Sequence, residues 1–153
     1  MYEVSSFPIK ILIVDDDALY KDALVDFLRE TPDFSVIGEA SDGASAVSKA
    51  LELNPELVLM DLGLPIMSGV EAIAQIKEAK PHIKIIALTV HDNKEEAMAS
   101  LEAGATAYVN KDITMPYLKM IIDTVGRGAV WISPLIGKEV LENSIKGYRS
   151  AHG

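Results

Sequence analysis

The chain has 153 residues, of which 49% are hydrophobic and 24% charged, and its formal net charge is −9. This length and hydrophobic content predict one domain with a substantial core and exclude a disordered chain. The absence of cysteine excludes disulfides, thiolate metal sites and cysteine nucleophiles. The negative charge, with basic residues spread along the chain, argues against direct nucleic-acid binding by this segment.

The first residues of the chain show no targeting signal. Residues 1–8 contain neither a basic stretch nor an apolar run of signal-peptide length, and are expected to form an N-terminal extension. No window of the sequence is long and apolar enough to span a bilayer. The sequence therefore predicts a soluble, cytoplasmic protein without a membrane partner.

Short apolar runs alternate with segments of helical periodicity, and this alternation predicts β/α units around a parallel sheet. The third run lacks polar alternation and is expected to form a central strand buried on both faces. Asp17 and Ser68 are expected to cap helices at their beginnings, and Gly104 to close one. The predicted strands, in chain order, are Lys10 to Val14, Phe34 to Glu39, Glu56 to Met60, Lys84 to Leu88 and Thr106 to Val109.

Five such units predict an α/β fold, a doubly wound five-stranded parallel sheet with helices on both faces. We expect the flavodoxin-like strand order 2-1-3-4-5, which places the first and third strands side by side. Residues 9–126 would form this domain, and residues 127–153 a C-terminal linker with a short helix and a flexible end. Residues suited to the beginning and the apolar face of that helix are Ser133, Pro134, Leu135, Ile136, Val140 and Leu141.

Four of the apolar runs end at residues suited to phosphoryl chemistry. The first run leads to Asp15 and Asp16, the third to Asp61 and the fourth to Thr89, and Lys111 follows the fifth. Because the carboxyl ends of parallel strands share one edge of the sheet, we expect these side chains to meet in one crevice. Three close carboxylates need protons or a cation to offset their repulsion, and oxygen ligands without His or Cys favour Mg²⁺.

The same groups are suited to covalent phosphoryl transfer. An aspartate carboxylate can act as the nucleophile and form an acyl phosphate. An ammonium such as that of Lys111 and a hydroxyl such as that of Thr89 can then stabilise the phosphoryl oxygens. These residue types at four strand ends therefore indicate a phosphoryl-handling site.

Four segments occur across about Lys10 to Gly126 in an order and spacing that resemble the receiver domain of two-component response regulators. Each motif alone is weakly specific, whereas four in register are highly specific. The segments are Val14-Asp15-Asp16, Met60 to Gly69, Ala87-Leu88-Thr89 and Gly104 to Lys111.

The tail carries a finer resemblance. Gly126 to Pro134, together with Asn110-Lys111-Asp112, resembles the NarL/FixJ branch of response regulators. Members of that branch usually continue through a linker into a helix-turn-helix DNA-binding domain. This chain stops at Gly153, before such an output domain, and is expected to be either a receiver fragment or a naturally truncated protein.

The resemblance implies roles for the crevice residues. Asp61 would accept a phosphoryl group from a phosphohistidine on a sensor histidine kinase or a phosphotransfer protein. Asp16, Asp61 and the backbone carbonyl of Gly63 would ligate Mg²⁺, with Asp15 acting directly or through water. The domain would catalyse its own phosphorylation but would turn over no metabolic substrate.

The resemblance also implies a conformational switch. Lys111 would pair with Asp61 and then with the phosphate, Thr89 would move towards the phosphoryl group, and Tyr108 would swing inward behind it. The altered surface would control dimerisation and, in a longer parent protein, transcription. The lifetime of the phosphorylated state is expected to depend on three positions near Asp61 and Thr89. At these positions the chain either departs from the commonest family pattern or carries a residue that the pattern does not fix; they are Val90, His91 and Gly63.

Other functions fit the sequence less well. A receiver-like interaction module that works without phosphorylation would be expected to lose part of the acidic, threonine and lysine set, which is intact here. An aspartate-nucleophile phosphatase would carry Asp-x-Asp-x-Thr/Val after the first strand, but the run from Asp15 ends in Leu19. A flavin- or dinucleotide-binding protein is disfavoured because no Gly-x-Gly-x-x-Gly follows the first strand.

Overall fold

The computed structural model describes residues 8–91, 93–129, 131, 137 and 142. Within them, five parallel strands form one sheet in the order β2-β1-β3-β4-β5, which confirms the predicted doubly wound fold. The observed strands begin and end within one residue of the predicted limits. They are β1 Ile9–Val14, β2 Phe34–Ala40, β3 Leu57–Asp61, β4 Lys84–Thr89 and β5 Ala107–Asn110.

Five helices alternate with the strands and cover both faces of the sheet. Because successive residues of a strand point to opposite faces, the sheet supplies apolar side chains to two separate core layers. Leu12 and Met60 face α2, α3 and α4, whereas Ile13 and Leu59 face α1 and α5. The helices are α1 Ala18–Arg29, α2 Gly43–Leu53, α3 Gly69–Ala79, α4 Lys94–Ala103 and α5 Met115–Gly126.

Strand β3 occupies the centre of the sheet, as its uninterrupted apolar sequence predicts. All five of its residues are buried, and it pairs with β1 on one side and β4 on the other. Val14 of β1 lies opposite Met60 of β3, so the residues that follow these two positions, Asp15 and Asp61, are neighbours. The sheet thereby brings the ends of β1 and β3 to one point of its carboxyl edge.

Polar side chains begin the helices that flank this edge. The Asp17 carboxylate accepts hydrogen bonds from the backbone amides of Leu19 at 3.1 Å and Tyr20 at 3.2 Å, which confirms it as the cap of α1. Ser68 Oγ accepts a hydrogen bond from the Glu71 amide at 3.2 Å and caps α3. These caps satisfy orphan amides and fix where each helix starts relative to the strand before it.

Two helix faces differ from the predicted ones. Leu51 and Ala74, which the spacing places on the buried stripes of α2 and α3, are exposed. Each follows a buried residue, Ala50 or Ile73, and a helix turns by about 100° per residue, which carries the next side chain away from the sheet. The sequence also predicts Met120 as a core residue, but it is 44% exposed on α5, whose buried residues are Leu118, Ile121, Ile122 and Val125.

The predicted division into residues 1–8, 9–126 and 127–153 stays a prediction. Helix α5 ends at Gly126, and the residues expected to form the tail helix, from Ser133 to Leu141, lie outside the described residues apart from Gly137. Residues 1–7 lie outside them as well. Trp131 packs its ring edge-on against Tyr117 of α5, with the centroids 5.6 Å apart. No helix in the described part of the chain is long and apolar enough to cross a bilayer.

Candidate functional site

Three carboxylates meet at the carboxyl ends of β1 and β3. Oxygen atoms of Asp15, Asp16 and Asp61 all lie within 4.8 Å of one another. Asp15 and Asp61 are buried, whereas Asp16 is exposed at the mouth of the cluster. The pairing of β1 with β3 accounts for this convergence of residues that are far apart in the sequence.

Lys111 reaches the cluster from the end of β5. Its backbone amide donates to the carbonyl oxygen of Thr89 at 2.7 Å, which fixes the start of the side chain beside β4. The Nζ atom lies 2.6 Å from Asp15 Oδ2 and 3.5 Å from Asp61 Oδ1, and the lysine side chain is only 8% exposed. The lysine therefore pairs more closely with Asp15 than with Asp61, although the family resemblance implies Asp61 as its partner.

The two buried carboxylates differ in their hydrogen bonds. Asp15 Oδ1 accepts a hydrogen bond from the Asp17 amide at 2.9 Å. The other oxygen, Oδ2, accepts none among the described residues and has the Lys111 ammonium as its electrostatic partner. Asp61 Oδ1 accepts a hydrogen bond from the Gly63 amide at 3.1 Å. Asp15 Oδ2 is therefore stabilised by a cation, which is the kind of partner that this buried oxygen requires.

Burial and charge repulsion both act on the Asp61 carboxyl. Burial, and then the negative charge of Asp15, raise the pKa of the Asp61 carboxyl from 3.8 to about 6. The hydrogen bond from the Gly63 amide and the charge of Lys111 oppose this shift but do not cancel it. The protein groups alone therefore leave the ionised cluster underneutralised.

This donor set fits Mg²⁺. All of the candidate ligands are oxygens, two of the carboxylates are buried, and Asp15 Oδ2 lacks a hydrogen bond in the described residues. Mg²⁺ favours such ligands and retains water on its remaining positions. Among the described residues, this is the acidic cluster whose oxygens converge closely enough to share one ion.

Tyr20 is a neighbour of the site that the sequence analysis missed. Its ring lies under the Lys111 ammonium, with Nζ 4.6 Å from the ring centroid. Burial, followed by the charges of Asp15 and Asp61, raises the pKa of the Tyr20 hydroxyl to about 12, so the phenol stays neutral. Its position in the first turn of α1, three residues after Asp17, indicates that it lies near the pocket, but the sequence does not indicate that its ring faces Lys111.

Thr89 is buried at the end of β4 and faces α4. Its hydroxyl donates to Glu96 Oε1 at 3.1 Å and accepts a hydrogen bond from the His91 amide at 3.2 Å. Glu96 is held in the first turn of α4, where its own amide donates to the cap residue Asn93 at 2.9 Å. Glu96 could not be predicted as part of the site, because nothing in its spacing in the sequence indicates that its side chain turns back towards β4.

Tyr108 is already directed inward. Its side chain is 1% exposed, its hydroxyl donates to the His91 carbonyl oxygen at 2.8 Å, and the Asn93 amide lies 3.4 Å from that hydroxyl. The ring thus already occupies an inward position in this structure, and the swing expected on phosphorylation stays a prediction. The loop between β4 and α4 provides backbone partners that satisfy the buried hydroxyl.

The three expected tuning positions are all exposed. Gly63 is exposed, and a Cβ atom there would lie 3.9 Å from Asp61 Oδ1, an ordinary contact. Val90 is 61% exposed and His91 is exposed, and His91 takes part in the site through its backbone groups. Their influence on the lifetime of a phosphorylated state stays a prediction.

The chain is similar to curated transcriptional regulatory proteins. DegU of Brevibacillus brevis is 31% identical over 147 residues, which cover 96% of this chain and 61% of the relative. YdfI of Bacillus subtilis (strain 168) is 40% identical over 133 residues, which cover 87% of this chain and 62% of the relative. The chain thus spans about 60% of the length of these relatives.

Solved structures share the fold. The crystal structure of a two-component response regulator of the LuxR family from Aurantimonas sp. SI85-9A1 aligns with a TM-score of 0.81 at 29% identity, covering 91% of this chain and 99% of that one. These relatives agree with the branch predicted from the tail. A family profile described as the response regulator receiver domain matches residues 11–123. With its sheet order and its strand-end cluster, the chain belongs to the response regulator receiver domain family.

Proposed function

We propose that this chain is a phosphorylation-driven switch in which Asp61 accepts a phosphoryl group from the phosphohistidine of a sensor histidine kinase or a phosphotransfer protein. The observation that carries the proposal is the meeting of Asp61 with two further carboxylates and with Lys111 in one pocket. Membership of the receiver family supports the same function. The chain would act as a signalling module and would turn over no metabolic substrate.

Asp61 is suited to act as the nucleophile. A pKa of about 6 leaves its carboxylate mostly ionised at neutral pH. The Gly63 amide and Lys111 both approach Oδ1, which leaves Oδ2 as the candidate attacking oxygen. That oxygen would form a bond to phosphorus while the phosphorus–nitrogen bond of the phosphohistidine breaks, and the imidazole nitrogen would keep the electron pair.

Several residues would stabilise the transferred group. Lys111 is close enough to Asp61 to place its ammonium beside a phosphoryl oxygen, where it would offset developing charge. Asp15, Asp16, Asp61 and the carbonyl of Gly63 would hold Mg²⁺, which when bound supplies positive charge to the carboxylates and the phosphoryl oxygens. The chain itself would thereby promote its own phosphorylation.

The switch would begin at Thr89. Its hydroxyl can donate one hydrogen bond, which it now gives to Glu96. Donating instead to a phosphoryl oxygen would release Glu96 and alter the loop between β4 and α4, whose His91 carbonyl is tied to Tyr108. We therefore propose that phosphorylation remodels the surface formed by α4, β5 and α5.

The output of the switch would be a changed association state. A remodelled surface would control homodimerisation, and in a longer parent protein it would control transcription. The description of two relatives as transcriptional regulatory proteins supports the second step, and the chain spans only part of their length.

Acetyl phosphate provides a direct test. The chain is incubated with this phosphodonor and Mg²⁺, and its intact mass is measured beside Asp61→Asn and beside Asp26→Asn, which removes an exposed carboxylate of α1. We expect a single phosphoryl adduct on the wild type and on Asp26→Asn only. No adduct on any variant would favour a phosphorylation-independent interaction module, and rapid multiple-turnover phosphate release would favour a phosphatase.

A further inference from the structure

We infer that Tyr20 is a positioning residue of this pocket: its ring face holds the Lys111 ammonium beside Asp61 and thereby sets how fast the phosphoryl group is accepted. The inference rests on the proposed function, because it assigns a part in that phosphoryl transfer to a residue of α1. It goes beyond the acidic residues, threonine and lysine that the sequence motifs contain.

The geometry is that of a cation–π contact. The Nζ atom of Lys111 lies 4.6 Å from the centroid of the Tyr20 ring, well within the range of about 6 Å for this interaction. Because the lysine side chain is only 8% exposed, solvent and salt screen the attraction weakly. Among the described residues, the ammonium thus contacts the ring, Asp15 and Asp61.

Lys111 needs such a partner because its side chain does not position itself. A lysine carries its point charge on a flexible stem, and the rotamer freedom of that stem opposes any single position. In this structure the ammonium is drawn closer to Asp15, at 2.6 Å, than to Asp61, at 3.5 Å. Without the ring, the ammonium would explore more positions and would spend less time within reach of a phosphoryl oxygen on Asp61.

Tyr20 is itself held rigidly. Its backbone amide donates to the Asp17 carboxylate at 3.2 Å in the capped first turn of α1. Its side chain packs, partly buried, against the core layer beneath α1 and α5. The ring is therefore placed by the helix cap and by packing before any ligand binds, as a preorganised site requires.

The test separates positioning from simple packing. The variants are Tyr20→Leu, which removes the ring, and Tyr20→Phe, which keeps the ring and removes only the hydroxyl. Phe27→Leu is the matched control, because Phe27 is another partly buried aromatic residue of α1 packed on the same core layer. Phosphorylation by acetyl phosphate with Mg²⁺ is followed by intact mass, and folding is verified for each variant by thermal unfolding.

We expect Tyr20→Leu to slow adduct formation by about fivefold, the factor that corresponds to a partly desolvated cation–π contact. Tyr20→Phe should restore the wild-type rate to within about twofold, because the ring face is retained. Phe27→Leu should match the wild type. An unchanged rate in Tyr20→Leu, or equal slowing in Phe27→Leu, would overturn the inference.

A second readout does not depend on phosphorylation. The ring current of an aromatic face shifts the ε-methylene protons of a lysine held against it upfield in the NMR spectrum, and Lys111→Arg identifies the resonance. We expect the shift in the wild type and in Tyr20→Phe, and its loss in Tyr20→Leu. A wild type that shows the shift but forms no adduct would refute the proposed function and this inference with it. Normal phosphorylation in the wild type without the shift would refute the inference alone.

Discussion

The raised pKa of Asp61 predicts that Asp61→Asn makes the metal-free protein more stable at neutral pH. Burial and the charge of Asp15 disfavour the ionised carboxylate in the folded state, whereas the unfolded chain ionises freely. Asparagine keeps an oxygen that can accept the hydrogen bond from the Gly63 amide, and Lys111 keeps its closer partner Asp15. The substitution therefore removes a repulsion without leaving a buried group unpaired.

The magnitude follows from the pKa. A rise from 3.8 in the unfolded chain to about 6 in the folded one is a difference of about two units. At about 1.4 kcal/mol per unit, full ionisation of Asp61 lowers the free energy of unfolding by about 3 kcal/mol. Because the folded state holds its proton to higher pH, the stabilisation by protonation is complete below about pH 4 and is lost as the pH rises through about 6.

Urea unfolding at a series of pH values, with a chelator present, measures this difference. We expect Asp61→Asn to exceed the wild type by about 3 kcal/mol at about pH 7.5, and the gap to close as the pH falls towards 4. Asp26→Asn, which removes an exposed charge, should show no comparable gain. Added Mg²⁺ should narrow the gap by stabilising the wild type. A gap that is absent at neutral pH, or that does not change with pH, would refute the reasoning.

Three further substitutions test other contacts. Glu96→Gln weakens the 3.1 Å hydrogen bond that holds Thr89, and should lengthen the life of the phosphorylated state about threefold in a mass-based decay assay; a shorter life would contradict this. Ile66, which is 85% exposed, adopts a φ of 71°, so Ile66→Gly should raise the free energy of unfolding by up to about 1 kcal/mol in urea, and a loss would count against this strain. In Gly69→Ala the new Cβ would lie 2.4 Å from the carbonyl oxygen of Asp61, so it should destabilise the protein by about 2 kcal/mol, and unchanged thermal unfolding would disprove the close contact.

Most of the fold could be predicted because buried parallel strands leave a strong signal. Strand β3 reads as an uninterrupted apolar run, and it occupies the centre of the sheet. Helix caps such as Asp17 and Ser68 were also predictable, since their side chains act on the amides of the next turn. The rotation of each helix about its axis was less predictable, and Leu51 and Ala74 were therefore placed on the wrong face.

The residues of the site likewise divide into those at strand ends, which could be predicted, and those on helices, which could not. Asp61 and Lys111 could be predicted because they follow strands whose ends meet at a common edge. Tyr20 and Glu96 could not, because they lie on helices and reach the site only through the way each helix rests on the sheet. The inward orientation of Tyr108 depends on a backbone carbonyl of a neighbouring loop, and the sequence around Tyr108 does not indicate such a partner.

The ion pairs of Lys111 join a late part of the chain to an early one. During translation, all three acids are made by residue 61, whereas the ammonium that offsets them arrives only with residue 111. A ribosome-bound intermediate that ends before β5 would therefore carry the carboxylate cluster without the Lys111 ammonium and without the edge strand that precedes Lys111. Under the proposed function, a nascent chain would therefore accept a phosphoryl group at the wild-type rate only after Lys111 has been added.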